Sequence, residues 1–117
     1  YVRIDTSTNL MGISTSSRRY KHGIEKADDD YFDGLMNVEP FTFIYNNLPE
    51  TDQNYEKPIC GLIAEDVQEH FPVAAIYRDD KVDDWDDRMV LTGCLALIQK
   101  LYRRVDELEE TWKSQSH

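Results

Sequence analysis

The sequence has few cysteines, and the two that it has lie far apart. Cys60 and Cys94 form no C-x-x-C pair and have no histidine at zinc-ligand spacing, so neither a zinc motif nor a thiol redox motif can be read from them. We expect each to be a small buried hydrophobic residue. The acidic clusters at residues 28–30 and 79–87 lack EF-hand spacing, and there is no P-loop. We therefore predict no metal site and no cofactor.

Basic residues are also scarce. There are 13 Lys and Arg against 23 Asp and Glu, which gives a net charge of −10, whereas nucleic-acid binders carry basic stripes. No apolar run approaches the roughly 18 residues of a membrane span, and the first residues do not read as a signal peptide. The composition thus predicts a protein partner, with no nucleic acid and no membrane span. A chain of 117 residues has room for one domain with a thin core, which favours oligomerisation.

Hydrophobic periodicity predicts a mixed order of short strands and helices, and a long helix at the end. The acidic stretch at 28–30 suits a helix start, Pro40 and Pro72 stop helices, and no proline follows Trp85. We also expect the whole chain to have been excised from a longer protein, because the sequence starts inside a strand-like pattern. In chain order we predict an extended segment at 1–15, a short helix at 27–38, a strand at 41–45, a loop at 46–57, a strand at 59–64, a helix at 65–71, a strand at 73–77, an acidic turn at 78–84 and a helix from 85 onward.

The long terminal helix has the clearest periodicity in the chain. Its hydrophobic residues recur at the a and d positions of a heptad, which favours a coiled coil and hence self-association. The alternative is a helix that packs on its own domain, and Leu95, Leu97 and Tyr102 widen the stripe as that would require. The a and d residues do not decide between two and three strands. The predicted oligomerisation residues are Leu91, Cys94, Ile98, Leu101, Val105, Leu108 and Trp112.

Residues 16–21 read Ser-Ser-Arg-Arg-Tyr-Lys and supply both a nucleophile and a base. A serine hydroxyl needs a neighbour that takes its proton, and a neutral lysine can do so. Serines near lysines are common, however, so on spacing alone a solvated loop is the usual alternative.

Four sequence motifs, which follow one another along the chain, include this Ser-Lys pair in a larger pattern. Ser16, Arg19, Lys21 and Ile24 match a motif of the form S-D-x-R-L-K-x-x-I, with Tyr20 in place of leucine. Further blocks follow as a strand at 39–45, a G-x-I-A-E-x-V-x-E-x-x-P stretch at 61–72 and a helix from 85 onward. Together they resemble the peptidase S74 family, the intramolecular chaperone auto-processing domain that ends phage tail spikes, endosialidases and neck appendages. Ser17 departs from the family pattern, which has aspartate there.

The resemblance implies an α+β fold, with a small globular part of short strands and helices and a long C-terminal helix in a trimeric parallel bundle. It divides the chain into the end of an upstream fibre at 1–15 and the chaperone domain at 16–117, with 85–115 as the trimerising helix. Ser16 would be the nucleophile, Lys21 its base, and the bond between Thr15 and Ser16 the cleavage site. Ser17, Arg19 and Glu65 are candidate supporting residues.

The implied function is folding assistance to an upstream β-rich fibre of the same chain within a homotrimer, followed by self-cleavage. The protein would then be a precursor of a virion tail or appendage, made in the host cytoplasm, and the domain would be released after cleavage. One alternative is a trimerisation or receptor-binding tip that no longer cleaves. Another is the self-cleaving region of a membrane-tethered transcription factor.

Overall fold

The computed structural model describes residues 16–115. The extended segment predicted at 1–15, including Thr15, lies outside this range. The elements are two antiparallel hairpins, several short 3-10 helices and two α-helices, and the predicted α+β class is confirmed. The strands are β1 (Phe41–Phe43), β2 (Ile59–Gly61), β3 (Ala75–Arg78) and β4 (Lys81–Trp85); the α-helices are α1 (Ala64–His70) and α2 (Asp87–Gln115); the 3-10 helices are Arg18–Tyr20, Asp33–Asn37 and Pro72–Ala74.

Each hairpin forms from sequence neighbours. β1 pairs with β2 so that Thr42 faces Cys60, and β3 pairs with β4 so that Ala75 faces Trp85. The turn of the second hairpin is Asp79 and Asp80, both with positive φ, as the tight primed hairpin turns require. Helix α1 then packs against this second hairpin.

The core is small and lies where α1, the first turns of α2 and the short 3-10 helices meet. Its buried residues are Leu35, Val67, Phe71, Ala74 and Val90, with Phe32, Val38, Leu62, Trp85 and Leu97 packed partly buried around them. A core of this size fits a domain that gains stability from association.

Helix α2 has one face on the core and another exposed to solvent. Val90 and Gly93 are buried and Leu97 packs against the core cluster. Gly93 makes this contact possible, because a Cβ there would overlap Leu35 Cδ1 and lie 3.1 Å from Phe32 Cδ1. Leu95 and Tyr102 are 56% and 65% exposed, so of the three residues thought to widen the stripe only Leu97 packs on the domain.

An ionic cluster holds the next turns of α2 against the segment around Asp29 and Asp33. Lys100 Nζ donates to Asp33 Oδ1 at 2.9 Å and to the Asp29 carbonyl at 3.2 Å. Arg103 Nη2 donates to Asp29 Oδ1, also at 2.9 Å. These bonds hold α2 to Asp29 and to Asp33, the first residue of the 3-10 helix Asp33–Asn37.

The structure corrects three predictions. The helix expected at 27–38 is a series of turns followed by a 3-10 helix at Asp33–Asn37, where Gly34 lies so close to the His70 carbonyl that a Cβ would overlap it. The acidic turn expected at 78–84 is mostly strand β4. Its partly buried residues, Val82 and Trp85, are three positions apart instead of two because the pairing with β3 contains a bulge. Cys60 and Cys94 are both exposed instead of buried.

Candidate functional site

A tight turn brings the two predicted catalytic residues to the same groove. Ser17 precedes the 3-10 helix Arg18–Tyr20, and its Oγ accepts a hydrogen bond from the Arg19 backbone N–H at 3.4 Å. The Lys21 N–H bonds to the Arg18 carbonyl at 3.0 Å and closes the turn. Ser16 and Lys21 therefore lie on either side of a folded segment, and both line one groove.

The groove has a volume of about 600 Å³ and is open to solvent. Aromatic rings that pack edge to face form part of its wall, with the Tyr31 and Phe32 centroids 4.7 Å apart and the Tyr31 and Phe71 centroids 6.3 Å apart. The first turns of α2 form another part of the wall. The lining residues are Ser16, Lys21, Tyr31, Phe32, Phe71, Val73, Asp86, Arg88, Met89, Leu91 and Thr92.

The partner of the Ser16 hydroxyl comes from α2. Arg88 Nη2 donates a hydrogen bond to Ser16 Oγ at 3.3 Å, although the two residues are 72 positions apart in the sequence. Within residues 16–115, no hydrogen bond joins Ser16 to Lys21. The groove thus holds a hydroxyl, an amine that can act as a base when neutral, and a guanidinium group that can stabilise negative charge on oxygen.

Asp86 orients this part of α2. Its carboxylate accepts hydrogen bonds from the backbone N–H groups of Arg88 and Met89, both at 3.0 Å, which caps the helix N-terminus. Its own N–H donates to the Ala74 carbonyl at 2.7 Å. The start of α2 is therefore anchored to the core beside the groove.

The three predicted supporting residues do not line the groove with Ser16. Ser17 caps its own turn, as described above. The Arg19 guanidinium lies over the Tyr20 ring, with Cζ 4.9 Å from its centroid, and donates to the Tyr20 hydroxyl at 3.2 Å. Glu65 is exposed in the first turn of α1, where a negative charge complements the helix dipole.

The predicted oligomerisation residues form an exposed stripe on α2. Leu91 is 70% exposed and Trp112 is 71% exposed, at opposite ends of the stripe, and Cys94 is exposed as well. The remaining members, Ile98, Leu101, Val105 and Leu108, are more than half exposed. Leu91 also lines the groove, so the stripe begins at the candidate site.

Sequence reasoning missed Arg88 and Asp86 as site residues. Asp86 had a local signal, since an aspartate directly before a helical pattern is a preferred N-cap. Arg88 had none, because only the packing of α2 against the Ser16 turn brings its side chain to the hydroxyl. Among residues 16–115, no cluster of His, Cys, Asp and Glu could hold a metal ion, and no helix there is long and apolar enough to cross a membrane.

A model of a known protein family matches the chain. The family is peptidase S74, described as the chaperone of endosialidase, and the match covers residues 16–76, more than half of the chain. It begins at Ser16, includes Lys21 and ends before α2. No curated protein matches the chain.

Proposed function

Because the chain belongs to the peptidase S74 family, the chaperones of endosialidase, we propose that it is an intramolecular chaperone that trimerises and then removes itself by cutting between Thr15 and Ser16. The observation that carries the proposal is that Ser16 and Lys21 line the same groove. The client is a β-rich fibre segment upstream in the same chain. The whole protein is the precursor of a phage tail or appendage, made in the host cytoplasm, and this domain leaves after the cut.

The proposed reaction uses the groove residues in two steps. Neutral Lys21 takes the hydroxyl proton of Ser16, Oγ bonds to the carbonyl carbon of Thr15, and the peptide C–N bond breaks. The departing nitrogen takes this proton from Lys21 and becomes the free α-amine of Ser16, while Thr15 is held as an ester on Oγ. Water then hydrolyses the ester, which leaves a carboxylate on Thr15 and restores the Ser16 hydroxyl. The reaction needs no cofactor.

The chaperone activity itself requires no chemistry. Three α2 helices in register would hold three upstream chains close together, which raises their effective concentration. Long-range β pairing is slow, because the entropy of loop closure is lost before the contacts form. A trimeric stem that starts the assembly would speed this search, and its later removal would leave the fibre kinetically trapped.

The place of Leu91 supports a link between assembly and cleavage. It is the first residue of the heptad stripe and also lines the groove of Ser16 and Lys21. Packing of neighbouring chains on Leu91 would narrow the groove and exclude water from it. Since a misplacement of about 1 Å can cost roughly 100-fold in rate, a site completed only in the trimer would cut only assembled protein.

The test is cleavage of the protein with a detectable tag ahead of Tyr1. We expect release of the tagged piece ending at Thr15 and a new N-terminus at Ser16, identified by mass spectrometry. Ser16→Ala should abolish release, because it removes only the attacking oxygen. Lys21→Arg should also abolish it, because arginine keeps the charge but cannot act as a base near neutral pH.

The other outcomes separate the alternatives. A new N-terminus at Ser17, lost only in Ser17→Ala, would make Ser17 the nucleophile. A stable trimer that never cuts would identify the protein as a trimerisation or receptor-binding tip. A natural continuation of the chain into a membrane span would favour the self-cleaving region of a membrane-tethered transcription factor.

A further inference from the structure

The contact between Arg88 and Ser16 joins the long helix directly to the candidate nucleophile. Arg88 lies in the first turn of α2, and its guanidinium donates to Ser16 Oγ at 3.3 Å. An arginine side chain is charged at every physiological pH and donates from a planar, preorganised fork. It therefore brings a permanent positive charge to the oxygen atom whose charge changes in the proposed reaction.

Arg88 is held on a fixed part of the structure. The Asp86 carboxylate bonds to its backbone N–H at 3.0 Å, and Thr92 Oγ1 donates to its carbonyl oxygen at 2.9 Å. Asp86 is itself bonded to Ala74, whose side chain is fully buried. The backbone from which the guanidinium extends is thus anchored to the core, and a hydrogen-bond donor gains most when its position is preorganised.

We propose that Arg88 is a third catalytic residue of the self-cleavage, which stabilises negative charge on Ser16 Oγ; the inference rests on the proposed function. Oγ gains negative charge twice: first when Lys21 removes its proton, and again when it leaves the ester as water attacks. Arg88 donates a hydrogen bond to Oγ in both steps and transfers no proton itself. The proton movements are those given above, between Ser16, Lys21, the new amine and water.

The same residue supplies a physical route from assembly to chemistry. Arg88 is followed one helical turn later by Leu91, which lines the same groove and is 70% exposed. When neighbouring helices cover Leu91, the groove loses water, and a charge interaction strengthens as the local dielectric constant falls. The guanidinium would then act on Oγ more strongly in the trimer than in the single chain.

The experiment compares Arg88→Ala with Arg78→Ala in the tagged protein. Arg78 is an exposed arginine in β3 whose guanidinium is 3.8 Å from Asp83, outside the residues that line the groove. We expect Arg88→Ala to slow cleavage by about tenfold to a hundredfold, somewhat less than the loss of a buried oxyanion donor. Arg78→Ala should cleave at the wild-type rate. Light scattering and thermal unfolding of each variant should show whether the trimer and the fold are kept.

Chemical rescue separates a catalytic role from a structural one. Methylguanidinium ion added to Arg88→Ala should restore part of the rate, whereas the same ion should do nothing for Ser16→Ala. If Arg88→Ala does not trimerise, Arg88→Met, which keeps an apolar stem, takes its place. The proposal is overturned if a trimeric Arg88 variant cleaves within about threefold of the wild-type rate, or if methylguanidinium does not rescue it. It is also overturned if Arg88→Ala and Arg88→Met both lose the trimer. A wild-type protein that never cleaves would instead overturn the proposed function.

Discussion

Lys100 allows the contribution of the ionic cluster on α2 to the stability of the fold to be measured. Its ammonium group donates to Asp33 Oδ1 at 2.9 Å, and this hydrogen bond is the main cause that raises the pKa of Lys100 above its ordinary value of 10.5. The charges of Asp33 and Asp29 act in the same direction, while desolvation opposes them. The folded protein therefore holds this proton more tightly than the unfolded chain does.

The raised pKa sets the sign of the pH dependence. The stabilisation is fully present below the pKa of the unfolded chain and is lost as the pH rises through the higher pKa of the folded state. We expect Lys100→Met to lower the thermal midpoint at neutral pH, and its difference from the wild type to shrink above pH 10.5. Thermal unfolding over a pH series measures this. Lys57→Met, in the exposed loop before β2, should show no such difference, and an equal effect of both variants would contradict the assignment.

Helix α2 serves two sets of contacts because its sequence carries two stripes. The stripe of Val90, Gly93 and Leu97 packs on the core, and the heptad stripe points to solvent. The two alternatives left open by the periodicity are thus not exclusive. The helix is 29 residues long, or about 43 Å at 1.5 Å per residue, and its ionic contacts with the acidic segment extend to Arg103.

Gly93 is the point at which the docking of α2 is most sensitive to volume. Alanine would favour the helix by about 1 kcal/mol, but its Cβ would overlap the buried Leu35, and overpacking costs about 1 to 3 kcal/mol. We expect Gly93→Ala to lower the free energy of unfolding by about 1 kcal/mol in a urea titration. Gln99→Ala, on an exposed face of the same helix, should change it by less than about 0.5 kcal/mol. A stabilised Gly93→Ala would mean that helix propensity outweighs the contact.

At the scale of the molecule, within residues 16–115, helix α2 presents a long apolar stripe to solvent. The heptad residues of α2 from Leu91 to Trp112 are all exposed, and continuous apolar surface of this kind marks an interaction site. The proposed trimer would bury the stripe and enlarge a core that is thin in the single chain. It would also place three grooves around one axis, each with Leu91 at its edge.

A single charge in the stripe tests the trimer. Leu101→Asp should dissociate it, because three carboxylates in one d layer cannot all be solvated. Gln99→Asp adds the same charge to the same helix outside the heptad stripe and should stay trimeric. Light scattering at micromolar concentration measures the mass of each protein. A monomeric wild-type protein, or two variants that behave alike, would rule out the proposed interface.

Local pattern was enough to predict most of the elements. Alternation around Phe41 and Phe43 predicts β1, and the apolar run before Ala64 predicts β2. The acidic residues that follow, with the stop at Pro72, predict α1, and the long periodic segment predicts α2. Strand β4 was missed because a bulge spaces Val82 and Trp85 three apart and acidic residues fill the gap. Helical spacing over residues 27–38 predicts a longer helix than the 3-10 helix Asp33–Asn37. The close approach of Gly34 to the His70 carbonyl cannot be predicted from local sequence, because it depends on how two separate segments pack.

The sequence by itself determined the α+β class, the family, the pairing of Ser16 with Lys21 as candidates and the heptad stripe. The heptad stripe follows from periodicity alone, whereas the class, the family and the Ser16–Lys21 pair follow from the resemblance of the ordered motifs to the family. Only the tertiary structure decided that Arg88 donates a hydrogen bond to Ser16, 72 positions away in the sequence. It also decided that α2 packs closely against Leu35 at Gly93. Such contacts depend on how separate elements pack, because the spacing of two residues along the chain does not determine the distance between their side chains.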